Sequence, residues 1–100
     1  MTASVIRRLM VHGRVQGVGY RAFVEEEAAT LGLDGWVRNR RDGTVEAVVA
    51  GSAQDVDAMI AACRKGPFSA RVDRVDISPA GTDSLSLRAR GERFSVLSTV

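Results

Sequence analysis

Hydrophobic positions change their period along this chain, and each period predicts an element. From Val5 to Gly13, Leu9 and Val11 share one face while Ile6 and Met10 share the other, the pattern of an inner strand. Arg8 and His12 fall on that second face, so it is expected to be only partly covered. Arg14 to Gly19 is a loop punctuated by glycine. Beyond it Tyr20, Phe23, Val24, Ala28 and Leu31 recur at spacings of three and four, which predicts an amphipathic helix stopped by Gly32.

Trp36 to Arg40 and Thr44 to Ala50 read as strands, joined through Asp42-Gly43 as an antiparallel hairpin. Ser52 is placed to cap a second helix, with Asp55 near its positive end and Val56, Met59, Ile60 and Cys63 on its apolar stripe. Gly66-Pro67 ends that helix. Arg71 to Ser78 alternates as a strand, Pro79 to Gly91 is polar and reads as a mobile loop, and Phe94 and Val96 mark a short last strand. The order is that of an α+β, ferredoxin-like βαββαβ sandwich, an antiparallel sheet with two helices on one face. A short C-terminal edge strand is expected if the chain after Asp83 pairs at an edge.

One hundred residues, 45% of them apolar, fit a single domain over residues 1–100 with one hydrophobic core. No apolar run approaches the roughly 20 residues of a membrane span. Met1 to Ile6 has no signal-like apolar stretch. The single cysteine, Cys63, rules out an internal disulfide and a cysteine-based zinc site, and the expected compartment is the cytoplasm. Thirteen of the fourteen basic residues are Arg, against a net charge of +2. A GC-rich genome accounts for that bias more readily than phosphate chemistry does, so charge alone does not name a partner.

The glycine loop carries the candidate chemistry. Gly17-Val18-Gly19-Tyr20-Arg21-Ala22 satisfies G-x-G-x-x-[GA] between a predicted strand and a predicted helix. A dinucleotide fold, however, needs a parallel second strand, and the Asp42-Gly43 hairpin commits this one to antiparallel pairing. No Gly-Lys-[Ser/Thr] follows, which excludes a Walker loop. What remains is an anion cradle of small residues with backbone N–H groups at a helix N-terminus. Arg21 stands in the first turn of that helix, where a cation is unfavourable unless an anionic ligand resolves the conflict. Solvent exposure of Arg21, or pairing with Glu25 one turn later, would resolve it equally well.

Three segments, Val11 to Arg21, Gly35-Trp36-Val37-Arg38-Asn39 and Asp42-Gly43-Thr44-Val45-Glu46, resemble the acylphosphatase family, and Gly66-Pro67 with Ala70 to Val75 extends the likeness over almost the whole chain. The resemblance implies a hydrolase of carboxyl-phosphate anhydrides. It implies that Arg21 and the backbone of Gln16, Gly17, Val18, Gly19 and Tyr20 hold the substrate phosphate while Asn39 holds the attacking water. Asn39 has the parity of Val37 and opposes Trp36, Arg38 and Arg40, so it can face Arg21 while the flanking arginines point away. An Asn before a turn can also simply bond its own backbone. The C-terminal Ser98-Thr99-Val100 departs from the aromatic ending of many eukaryotic members, which leaves open how it braces the cradle.

Conventional hydrolytic machinery is absent from the sequence. His12 lies within a strand and reads as structural, Cys63 as core, Trp36 as a packing anchor and Glu25-Glu26-Glu27 as a solvated helix face. An acyl phosphate needs little more than charge and position, because its carboxylate leaving group has an acid pKa near ~4 and needs no strong acid help. No metal and no cofactor are expected, and the partner is a small-molecule acyl phosphate, with no membrane and no nucleic acid. RNA binding would need exposed aromatics on the central strands, which lack them. A monomer is expected. The rival reading is a non-catalytic ferredoxin-like anion-binding or regulatory module.

Overall fold

The computed structural model describes residues 4–100. Met1 to Ala3, on which part of the expectation about a signal-like start falls, lie outside them. The elements are β1 (Ser4–Arg14), α1 (Tyr20–Leu31), β2 (Asp34–Asn39), β3 (Val45–Ser52), α2 (Ala53–Lys65), β4 (Arg71–Pro79), a 3-10 helix (Thr82–Leu87) and β5 (Phe94–Val96). They match the expected order, and the strands form one sheet in the order β4-β1-β3-β2-β5.

Two expectations need correction. The sheet is mixed rather than antiparallel throughout, because β5 pairs with β2 in parallel, Gly35 opposite Phe94 and Val37 opposite Val96. The other pairings, β1 with β3 and β4 and β2 with β3, are antiparallel as predicted. The physical reason is that β4 and β5 occupy opposite edges, so the chain between them crosses the sheet instead of turning back in a hairpin. That crossing segment is the second correction. The polar stretch predicted as a mobile loop contains the 3-10 helix, tied down by Trp36, whose Nε1 donates to the Ser84 carbonyl at 2.7 Å.

The sheet's two faces are built differently. On the helix side Leu9, Val11, Val37, Val45, Ala47 and Val49 meet Val24 and Ala28 of α1 and Val56, Met59 and Cys63 of α2, all buried. Each such side chain contributes about 1.5–3 kcal/mol of hydrophobic stabilisation, less for alanine. On the other side Trp36 packs opposite Val48, both fully buried, close to the 3-10 helix.

That outer face also holds Glu46, only 5% exposed, which accepts from Arg8 Nε at 3.0 Å, Arg38 Nε at 2.8 Å and Arg40 Nη1 at 2.9 Å. Arg38 lies over the Trp36 ring at 4.6 Å. Burial pushes the Glu46 carboxyl up, but hydrogen bonds and charge from Arg38 and Arg40 outweigh it and hold it below the ordinary range. Because residues alternate along β2, drawing Arg38 and Arg40 to this face turns Asn39 to the helix side.

Candidate active site

The loop between β1 and α1 is shaped by two glycines. Gly17 has φ +73° and Gly19 φ +79°, while Val18 between them keeps an ordinary negative φ. A Cβ at either glycine would meet nothing within 4 Å, so handedness rather than crowding demands glycine there. Alternating handedness turns successive N–H groups toward one side, the concavity that receives anions. Gly19 is also the N-cap of α1, with no side-chain capping bond and no acid in the first turn. The helix therefore presents its N–H groups and its positive end without internal compensation.

Into the same place the chain puts a cation. Arg21 is half-buried and forms no ion pair or hydrogen bond among the described residues, so pairing with Glu25 does not occur. Arg21, Gly17, Gly19 and Tyr20 line a pocket of about 460 Å³, and Asn39 reaches it from the end of β2, with Val96 of β5 at the wall. The Asn39 side-chain amide has no hydrogen-bond partner among the described residues, and its Oδ1 is buried. A buried orphan acceptor costs about 1–3 kcal/mol, so it marks a site held ready for something other than the fold. A half turn about Cβ–Cγ lets either end of the amide face the pocket.

The pocket's walls are tied together by side chains of distant segments. Gln16 Nε2 donates to the carbonyls of Arg40 at 2.6 Å and Thr44 at 2.8 Å, fastening the loop to the β2–β3 turn just beyond Asn39. Ser69 Oγ donates to the Val18 carbonyl at 2.7 Å. Tyr20 buries its ring under the loop and donates its hydroxyl to the Cys63 carbonyl at 2.7 Å, at the C-terminal end of α2. Burial, and then the nearby Cys63, raises the Tyr20 hydroxyl far above its ordinary range, and burial pushes the Cys63 thiol up to about 11. Both stay neutral and act structurally. At the C-terminus the Val100 N–H donates to the Asn39 carbonyl at 3.2 Å, and the Val100 carbonyl accepts from the Arg41 N–H at 2.7 Å, so this ending braces Asn39 through the backbone.

Of the residues singled out in the sequence, Gly17, Gly19, Tyr20, Arg21 and Asn39 come together around the pocket. Gln16 and Val18 stay outside its lining, because the Gln16 side chain is committed to the turn and Val18 packs against the core. His12 lies on the outer face with its Nε2 3.0 Å from Asp76, and Cys63 is buried in the core. Among the described residues no three His, Cys, Asp or Glu side chains gather as a metal site, and no described helix is long and apolar enough to cross a membrane.

Sequence reasoning misses several residues of this site and its supports, Ser69, Val96 and Glu25 among them. Ser69 carries no local signal, since its partner lies 51 positions away. Val96 enters only through the parallel pairing of β5. Glu25 is legible, standing one turn from Arg21 on the same helix face, but in the sequence it reads only as a partner for Arg21 or as solvated surface in an acidic run. The assembled site offers one unpaired guanidinium, converging N–H groups and one free amide, the means to hold a phosphoryl group and a water beside it.

Comparison with known proteins gives a consistent outcome. The acylphosphatase family model matches residues 7–94. The acylphosphatase of Rhodopseudomonas palustris is 58% identical over 98% of this chain and 99% of its own length. That of Bradyrhizobium diazoefficiens is 60% identical over the same shares. The crystal structure of acylphosphatase from Bacillus subtilis superposes with a TM-score of 0.79 at 34% identity, covering 93% of this chain and 98% of that one.

Proposed function

The chain belongs to the acylphosphatase family and hydrolyses acyl phosphates, and from that premise we propose how its pocket performs the reaction. Arg21 grips two phosphoryl oxygens with its fork while N–H groups of the loop and the first turn of α1 take the remaining charge. Asn39 holds a water in line with the bond to be cleaved. The water oxygen bonds to phosphorus, the bridging P–O bond breaks, and its electron pair leaves with the carboxylate. The water's proton passes to a phosphoryl oxygen, so no side-chain base is required. Charge neutralisation by Arg21 and the N–H groups supplies most of the rate enhancement.

The observation that carries this reading is the pairing of two uncommitted groups in one pocket, Arg21 without a carboxylate and Asn39 without a partner. We further place the protein in the cytoplasm, a reading that its lone buried cysteine supports, and read it as a metal-independent monomer of one domain. Family membership does not favour a non-catalytic anion-binding module. The test is release of phosphate from benzoyl phosphate in the presence of a chelator, with Arg21→Ala as control. Turnover by the wild type that is lost in the variant supports the proposal. Equal rates in the two proteins remove Arg21 from the mechanism, and loss of turnover on chelation removes metal independence.

A further inference from the structure

A second pocket of about 330 Å³ adjoins the first, and Glu25 lines both. Its lining is largely apolar, with buried Leu33, half-buried Phe94 and exposed Ala29 of α1. Its other charged wall, Arg93, is already engaged, donating from Nε to Asp34 Oδ1 at 2.8 Å and from Nη2 to the Gly32 carbonyl at 2.6 Å. Glu25 itself has no ion-pair or hydrogen-bond partner among the described residues. It stands four residues, about 6 Å of helix rise, beyond Arg21.

We infer that the acyl half of the substrate lies along α1 toward the mouth of this second pocket, and that Glu25 selects against acyl groups carrying their own carboxylate. The inference rests on the phosphate sitting at Arg21. With the phosphate there, an acyl group directed along the helix reaches Glu25, which lines both pockets, and the mouth of the second pocket, where Phe94 and Ala29 offer apolar surface to bury. An aromatic or aliphatic acyl group gains contact with Phe94 at that mouth and leaves Glu25 hydrated at the rim. A dicarboxylic acyl group brings its free carboxylate against Glu25, with the Arg21 charge spent on phosphate and the Arg93 charge on Asp34. Specificity then comes from repulsion of the wrong substrate as much as from attraction of the right one.

The experiment compares kcat/KM for benzoyl phosphate and succinyl phosphate in the wild type and in Glu25→Gln. The succinyl-to-benzoyl ratio is expected to rise about five- to tenfold in the variant at low salt, as removal of a like charge at this range allows. In about 0.5 M salt the difference between the proteins should shrink, because screening already weakens the repulsion. An unchanged ratio overturns the role of Glu25 while leaving hydrolysis at Arg21 standing. Absence of wild-type turnover with either substrate overturns the underlying reading and this inference together. Phe94→Ala adds a second arm: it should raise KM several-fold for benzoyl phosphate relative to acetyl phosphate, whose methyl group does not reach that mouth. Equal changes for both overturn the placement of the acyl group.

Discussion

The N-termini of the two helices follow opposite rules. At α2 every local preference is met: Ser52 Oγ accepts from the Asp55 N–H at 3.1 Å, Asp55 lies in the first turn, and Arg64 and Lys65 lie in the last. At α1 each is violated, with a left-handed glycine as N-cap, no side-chain cap, no acid in the first turn and an arginine in its place. Both helices pack on the same sheet in the same core, so packing does not account for the contrast. A helix end that satisfies itself stabilises the fold, whereas one left unsatisfied is free to satisfy a ligand. Local inconsistency at α1 is thus the physical signature of the site.

The sharpest way to break this comparison is at Arg21. Arg21→Ala should lower kcat/KM by about a thousandfold or more, the scale on which an arginine stabilises a phosphoryl transition state. Arg21→Lys should fail to restore it, since an ammonium lacks the fork. Near-normal hydrolysis by the Lys variant would show that α1 needs only a charge. Next, Asn39→Ala should reduce kcat by about a hundredfold while the inhibition constant for phosphate stays within about twofold, because a water-holder contributes little to ground-state anion binding. If phosphate affinity falls in proportion, Asn39 is a binding group instead.

Smaller effects sharpen the contrast from the stability side. Inorganic phosphate at ten times its dissociation constant should stabilise the wild type by about 1.4 kcal/mol, read as a rise in Tm, and should leave the melting of Arg21→Ala unmoved. A phosphate shift that survives in Arg21→Ala places the anion elsewhere. Ser52→Ala should cost about 1 kcal/mol, lowering Tm by about 4–8 °C, with kcat and the phosphate-induced shift intact. An activity loss in Ser52→Ala that exceeds its unfolded fraction would mean that the two helix ends are not functionally separate.

Much of the fold is legible in the sequence because its periods are clean. Leu9 and Val11 against Arg8, the spacing of Val56, Met59, Ile60 and Cys63, and the Asp42-Gly43 turn each specify an element with little help from the rest of the chain. The 3-10 helix and the parallel pairing of β5 are not legible. Both depend on contacts across the sheet, such as Trp36 with Ser84, that a three-residue strand and a polar loop do not announce locally. The loop and Arg21 announce an anion site through their conflict with the helix dipole. Asn39 enters by resemblance and by its alternation with Val37. What ties these parts into one pocket, Gln16 to the carbonyls of Arg40 and Thr44 and Ser69 to Val18, joins residues too far apart in sequence for any spacing rule.

The parallel pairing of β5 also bears on how the molecule avoids sticking to itself. By lying along β2 it covers the backbone beside the strand that carries Asn39, which leaves the nine-residue β4 as the long free margin of the sheet. An open margin of that length invites a second chain to add a strand. Charges along it oppose this: Arg71 pairs with Asp73 at 3.2 Å and Arg74 with Asp76 at 3.2 Å, and Pro79 closes the strand without an N–H to offer. A newcomer would have to strip water from those pairs before gaining any backbone bond. The candidate pocket and the edge that resists aggregation thus rest on different side chains, although Ser69 at the entry to β4 touches the loop, and a mutation that ruins one need not expose the other.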